Sequence, residues 1–292
     1  MEKLILGKSH QIRLALACLL AEGHLLIEDV PGVGKTTLAH GLAKVLGLSF
    51  QRIQFTSDLL PADVTGVSIY DRDNKEFVFK PGPIFAQLLL ADEINRATPK
   101  TQSSLLEAME ERQVTTDGQS HKLPEPFFVV ATQNPSEQIG TFPLPESQLD
   151  RFLMRIEIGY PDAAAERELL TKGDTRKNIH SFTSGLNTDD LSMLRQAVND
   201  IVVSEALIDY VQDIVQATRE PELFQHGLSP RAALGLIRAA KSWAFLSGHK
   251  GVLPEDVQAV LPGVVDHRLI TRHKERTGDS PSNYLQHNVA IP

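Results

Sequence analysis

Short apolar runs alternate with helical stretches over the first half of this chain, and that alternation leaves few folds open. The runs are HLLIED at 24–29, QRIQF at 51–55, QLLLAD at 87–92, FFVVAT at 127–132 and FLMRIEI at 152–158. Helical stretches lie between them, chiefly at 35–46 and 99–112, and 12–21 reads as a further helix that ends near Gly23. A strand that is apolar on both faces must be covered on both. That condition describes an α/β fold with a parallel sheet between layers of helix.

Two segments interrupt the alternation. Residues 68–82, SIYDRDNKEFVFKPG, alternate around a polar turn and read as a β-hairpin. Residues 113–126, QVTTDGQSHKLPEP, contain Asp117-Gly118, the strongest short hairpin signal. After GYPD the strand pattern stops, and 163 to 270 reads as amphipathic helix, with good helix starts at NTDDL and LPEDV. The expected division is an α/β domain over 1–162 and an all-helical domain over 163–292. The polar tail after Arg268 is expected to be loose at its end. No internal repeat or low-complexity tract is present.

Charge and composition remove several function classes. The 29 basic against 37 acidic residues give a formal net charge of −8, which opposes nonspecific binding to nucleic acid or an anionic membrane, though a local basic patch remains open. No apolar run approaches a membrane span and MEKLILGKSH lacks a signal-peptide core, so a cytoplasmic protein without membrane insertion is expected. The single cysteine, Cys18, excludes an internal disulfide and fits a reducing compartment. Within LALACLLA it reads as a small buried hydrophobe. No Cys/His cluster has the spacing of a zinc site.

The turn after the first run can carry chemistry. Pro31, Gly32, Val33, Gly34, Lys35, Thr36 and Thr37 join a strand to a helix, where backbone amides converge at the positive end of the helix. That is the context of a phosphate loop, G-x-x-x-x-G-K-[ST]. Gly32 and Gly34 let the backbone approach phosphates, Lys35 can reach the β- and γ-phosphates, and Thr36 offers Mg²⁺ a hydroxyl. Asp29 stands where the pattern has its first glycine. An acid there lowers the local positive potential, but this position ends the strand and makes the fewest amide contacts. The residues alone leave two readings, a nucleotide site or a structural turn.

A second acidic element bears on the choice. LLLADEINR ends a strand in Asp92 and Glu93, and phosphoryl hydrolysis needs an acid behind Mg²⁺ and a base or orienter for water. Asp92 with Thr36 then serves the metal, and Glu93 the water. VVATQNP places Asn134 beside the same edge, where its amide could hold that water, although an Asn-Pro turn explains it as well. LPESQLDRF offers Arg151, and GLSPRA offers Arg231 at a helix start. Each is either a surface arginine or a cation that compensates γ-phosphate charge.

The set EDVPGVGKT, LLLADEINR, ATQNP, LPESQLDRF and GLSPRA, in this order and spacing, resembles the MoxR family of AAA+ ATPases over nearly the whole chain. The resemblance implies a P-loop domain with a five-stranded parallel sheet ordered 5-1-4-3-2, a helical lid, and a homo-oligomeric ring, usually hexameric. It implies ATP and Mg²⁺ as cofactors, with Lys35 and Thr36 in Walker A, Asp92 and Glu93 in Walker B, Asn134 as sensor 1, Arg151 as arginine finger and Arg231 as sensor 2. Asp29 belongs to this family's variant of the loop. The first hairpin looks like a helix-2 insert and the second like the hairpin before sensor 1, which in related rings point towards the pore and touch the client.

The implied function is an ATP-hydrolysing remodelling factor. Such factors act with a protein bearing a von Willebrand factor A domain, in cofactor insertion or complex maturation. A chelatase-like motor subunit and an assembly switch with little turnover are the alternatives. No nucleic-acid partner is expected, and a helicase is disfavoured by the net charge and the absence of an appended DNA-binding segment. The chain begins about two dozen residues before the first strand, without the longer N-terminal helix of many relatives, which leaves the stability of a ring open.

Overall fold

Each apolar run expected as a strand forms one, but the run at 51–55, expected to be buried, is an edge strand with three exposed side chains. The computed structural model describes residues 1, 5–135, 140–172, 185–272 and 280–292. Helix α1 (Ser9–Leu20) precedes β1 (His24–Glu28), and the glycine-rich turn leads into α2 (Lys35–Leu46) and back through β2 (Phe50–Gln54). A short α3 (Pro61–Thr65) enters the pair β3 (Gly66–Asp71) and β4 (Glu76–Pro81). Then come β5 (Leu88–Asp92), α4 (Pro99–Glu111), the pair β6 (Gln113–Thr116) and β7 (Gln119–Lys122), β8 (Phe128–Gln133), α5 (Glu146–Leu149) and β9 (Phe152–Ile156).

One sheet takes the order β2-β5-β8-β1-β9, which is the expected 5-1-4-3-2 when only its own strands are counted along the chain. The pairs β2–β5 and β5–β8 are parallel. Leu88 to Ala91 and Phe128 to Ala131 are wholly buried, as strands apolar on both faces must be. Strand β2 exposes Gln51, Arg52 and Gln54 and so fits the edge it occupies. Its register sets Gln54 beside Asp92, while Ala91 pairs with Ala131, so these strands end level on one edge. Crevices at the carboxyl edge of such a sheet are where α/β proteins bind ligands.

Both hairpins form as expected. Gly66 pairs with Pro81 through to Asp71 with Glu76, and Gln113 with Lys122 through to Thr116 with Gln119. Asp117 and Gly118 take the positive φ values, 52° and 77°, of a two-residue primed turn.

Beyond the sheet the described chain is helical, with α6 (Ala163–Lys172), α7 (Thr188–Asn199), α8 (Glu205–Ala217), α9 (Pro230–Ser247), α10 (Pro254–Val265) and α11 (Pro281–Asn288). The last of these corrects an expectation, because the tail after Arg268 is expected to be loose at its end. Ser280 caps α11 through Asn283 N, Ser282 donates from its backbone N and its Oγ to Asp266 at 2.8 Å each, and Leu285 is fully buried. The helix is short and polar, and docking rather than propensity holds it.

By spatial proximity the chain falls into two units, and they do not follow sequence order. One comprises Met1–Ser9, Leu26–Arg151 and Glu157–Thr188, and the other His10–Leu25, Phe152–Ile156 and Asp189–Pro292. In the first, α2 and α4 bury Leu38, Leu42, Leu105 and Leu106. In the second, α10 packs on α9 and on β9, burying Val257, Val260, Leu261 and Val264. Each such side chain contributes about 1.5–3 kcal/mol. Gly23 is obligatory for space, since a Cβ there would fall 2.3 Å from the Cβ of Leu153. Cys18 is buried as expected, and desolvation pushes its thiol far above the ordinary range, so it packs as an inert hydrophobe.

Candidate functional site

The turn between β1 and α2 is built by two left-handed glycines. Gly32 has φ 88° and Gly34, the N-cap of α2, has φ 99°. A Cβ at either would meet nothing within 4 Å, so conformation rather than crowding demands glycine, and the space before the loop is open. Lys35 is anchored beneath the loop. Its Nζ donates to the carbonyl of Asp29, to that of Val30 at 3.3 Å and to that of Gln133 at 3.4 Å.

Asp29 does more than the sequence reading allowed. From the sequence, position 29 ends the strand with few amide contacts, and an acid there lowers the local positive potential. In the structure its Oδ1 accepts from Val30 N at 2.7 Å, and its Oδ2 from Ile158 N at 2.7 Å and Gly159 N at 2.6 Å. Its own amide donates to Gln133 O at 3.2 Å. Three amides compensate the carboxylate and tie the loop's start to the segment after β9. The separation of 129 and 130 residues hides that tie from any local motif.

The acidic pair closes the opposite side. Asp92 Oδ1 accepts from Thr132 Oγ1 at 2.6 Å, and Thr132 Oγ1 accepts from Glu93 N at 2.9 Å. One buried hydroxyl therefore fixes both acids. Asp92 Oδ2 accepts from Arg52 Nη2 at 2.6 Å and Nε at 3.1 Å. Glu93 sits in the left-handed region at φ 56°, ψ 50°, a conformation that costs a non-glycine residue about 1–2 kcal/mol. Its Oε2 accepts from Gln54 Nε2 at 2.8 Å and from Arg96 Nη1 at 3.1 Å. Thr132, Arg52 and Gln54 were missed by the sequence reading. Thr132 could have been found in VVATQNP as the residue level with Asp92 on the neighbouring strand.

A cavity of about 720 Å³ brings most of the sequence-derived site together. Pro31, Gly32, Val33, Gly34, Lys35, Thr36 and Thr37 line it with Asp92, Glu93 and the buried Asn134. Ile5, Leu6, Pro161, Leu169 and Leu170 add an apolar end that no motif announced. Lys8 lines it too, its Nζ donating to Tyr160 O at 2.7 Å. Two expected residues lie elsewhere. Arg151 pairs with Glu110 Oε2 at 2.6 Å and donates to Leu106 O at 2.7 Å, both on α4. Arg231 is exposed in the first turn of α9, in the second unit.

The donor chemistry fits a polyphosphate with a hard cation. A left-handed glycine turn at the start of a helix, followed by Lys35, suits phosphate, and the hydroxyl of Thr36 with the carboxylate of Asp92 suits the all-oxygen shell of Mg²⁺. No group of three or more His, Cys, Asp or Glu among the described residues is placed to hold a metal ion by itself, and one or two protein ligands with phosphate oxygens and water are the usual shell of Mg²⁺.

Known proteins share this fold. Residues 24–154 match the model of the ATPase family associated with various cellular activities (AAA), and 216–287 match an AAA lid domain. The uncharacterised protein YeaC of Bacillus subtilis is 47% identical over 92% of this chain and 84% of its own. Chaperone MoxR1 of Mycobacterium tuberculosis is 43% identical over 100% of this chain and 80% of its own. Protein MoxR of Methylorubrum extorquens is 33% identical over 91% of this chain and 84% of its own. A crystal structure from Cytophaga hutchinsonii, described as a candidate ATPase, superposes with a TM-score of 0.90 at 39% identity. It covers 99% of this chain, which covers 92% of it.

Proposed function

The chain belongs to the MoxR family of AAA+ ATPases, and on that premise we propose that it hydrolyses ATP with Mg²⁺ to drive remodelling of a protein client. The observation that carries the reading is the convergence of the phosphate loop, Asp92, Glu93 and Asn134 on one cavity.

The amides of Gly32 to Lys35 cradle the phosphates, and the Lys35 ammonium, exchanging the carbonyls of Asp29, Val30 and Gln133 for phosphate, neutralises the β- and γ-oxygens. Thr36 and Asp92 would hold Mg²⁺, which would supply charge neutralisation at the phosphate oxygens. Glu93 accepts a proton from the attacking water, Asn134 orients that water, and the bond from the γ-phosphorus to the bridging oxygen breaks to release ADP and phosphate. The apolar end formed by Ile5, Leu6, Leu169 and Leu170 takes the purine. Arg151, supplied by a neighbouring copy in a ring that is typically hexameric, and Arg231 compensate γ-phosphate charge.

The hairpin β3–β4 supports the client role, because it exposes Ile69, Tyr70, Phe77 and Val78. A partner with a von Willebrand factor A domain, the work of cofactor insertion or complex maturation, and cytoplasmic residence rest on the family alone. The decisive experiment separates binding from chemistry. Glu93→Gln should bind Mg·ATP as tightly as the wild type and lose single-turnover hydrolysis by about 10²-fold or more. Retained turnover would place the base elsewhere.

A further inference from the structure

Both oxygens of Asp92 are engaged, one by a residue that no motif contains. Thr132 Oγ1 donates to Oδ1, and the guanidinium of Arg52 donates twice to Oδ2, at 2.6 and 3.1 Å. A carboxylate offers about four lone-pair positions. Three are taken, two of them by a single cation. Arg52 comes from the edge strand β2, pairs in register with Leu90, and so lies on the same side of the pleat as Asp92 two residues on. Its remaining described bond goes from Nη2 to Gln54 Oε1 at 3.0 Å.

We propose that Arg52 is a positioning residue that competes with the divalent cation for Asp92, and so sets how strongly nucleotide binding depends on Mg²⁺. The inference rests on the reading of Asp92 as the metal carboxylate. A positive charge in contact with Oδ2 weakens the field that draws a second cation to the same group, and it occupies the lone pairs facing β2. The side chain of Arg52 is 48% exposed and that of Asp92 11%, so solvent screens the pair without abolishing it. The same exposure gives the guanidinium room to withdraw when a metal-bound nucleotide arrives. Thr132 holds the other oxygen independently, so Asp92 keeps its orientation when Arg52 is replaced.

The test is the affinity of the whole chain for ADP, by calorimetry, in Mg²⁺ and in a chelator. The ratio of the two dissociation constants measures the coupling between metal and nucleotide. Arg52→Met should widen that ratio roughly two- to fivefold over wild type, the range expected of a screened pair. Arg52→Lys, which keeps the charge, should stay near wild type. Melting temperatures of both variants establish that they fold. A narrowed ratio in Arg52→Met would mean that Arg52 recruits the metal, and an unchanged one that the pair is a surface contact. A ratio in Arg52→Lys equal to that of Arg52→Met would remove charge as the cause. Each of these overturns the proposal while nucleotide binding stands. A wild-type chain that binds no ADP in either condition would instead overturn the nucleotide reading itself.

Discussion

Asp29 separates anchoring from phosphate contact at the scale of single residues. The usual phosphate loop has glycine here, and a motif-based view would expect Asp29→Gly to improve the site. The structure argues the reverse. Removing the carboxylate leaves the amides of Val30, Ile158 and Gly159 without their acceptor in a buried place. Unsatisfied buried donors cost about 1–3 kcal/mol each before relaxation, and glycine adds backbone entropy. Asp29→Gly should therefore destabilise the chain by about 2–4 kcal/mol, lowering the melting temperature by several degrees. An equal or higher melting temperature would show that the anchor carries no weight.

Among the elements, the hairpins stand apart from the site. The turn of the first is internally held, since Asp71 Oδ1 accepts from Asp73 N at 2.9 Å and Oδ2 from Asn74 Nδ2 at 2.9 Å. Those bonds hold its carboxyl below the usual range. The two hairpins also touch, because the rings of Phe79 and His121 stack with centroids 3.8 Å apart at 11°. Neither tip lines the nucleotide cavity. Shortening 71–75 or 117–120 should leave basal ATPase within about twofold of wild type while abolishing stimulation by a client, as expected when sequence changes fall on surface loops. Lost basal activity in a folded variant would make the hairpins structural.

For the whole molecule, assembly and acid response follow from groups far from the phosphate loop. If Arg151 serves a neighbour's γ-phosphate, activity per subunit should rise with concentration, and mixing Arg151→Ala with Lys35→Ala should restore part of it. Arginine fingers are worth roughly 10³–10⁵ in rate, so even one competent pair per ring is measurable. Dead mixtures that do form mixed rings would leave Arg151 as an intradomain partner of Glu110 and Leu106 O. Acid stability should turn on His267, which is buried on Phe152 O and beside Arg268. Burial and the Arg268 charge hold its folded pKa well below 6.5. The unfolded chain then takes a proton that the folded chain refuses, so stability present above pH 6.5 falls as pH drops through it. The loss is up to about 1.4 kcal/mol per pH unit from this group. Denaturant unfolding at pH 7 and pH 5.5 should show a smaller loss in His267→Gln than in wild type, and an equal loss would exclude His267 as the source.

The sequence by itself determined what is local. Strand burial follows from runs such as LLLAD, the loop from Gly32 to Thr36, and the turn from Asp117-Gly118, because apolar periodicity and backbone freedom act over a few residues. The sheet order came only through the family resemblance that the motifs carry. Only the tertiary structure decided the rest. It tied Asp29 to Ile158 and Gly159, placed Thr132 under both acids, set Arg52 on Asp92, and docked a polar tail as α11 through Asp266. It also grouped β9 with helices that follow it by more than thirty residues. The physical reason is the same each time. A buried hydrogen bond or ion pair is chosen by which chain segments meet in space, and its partners need share no pattern in the sequence.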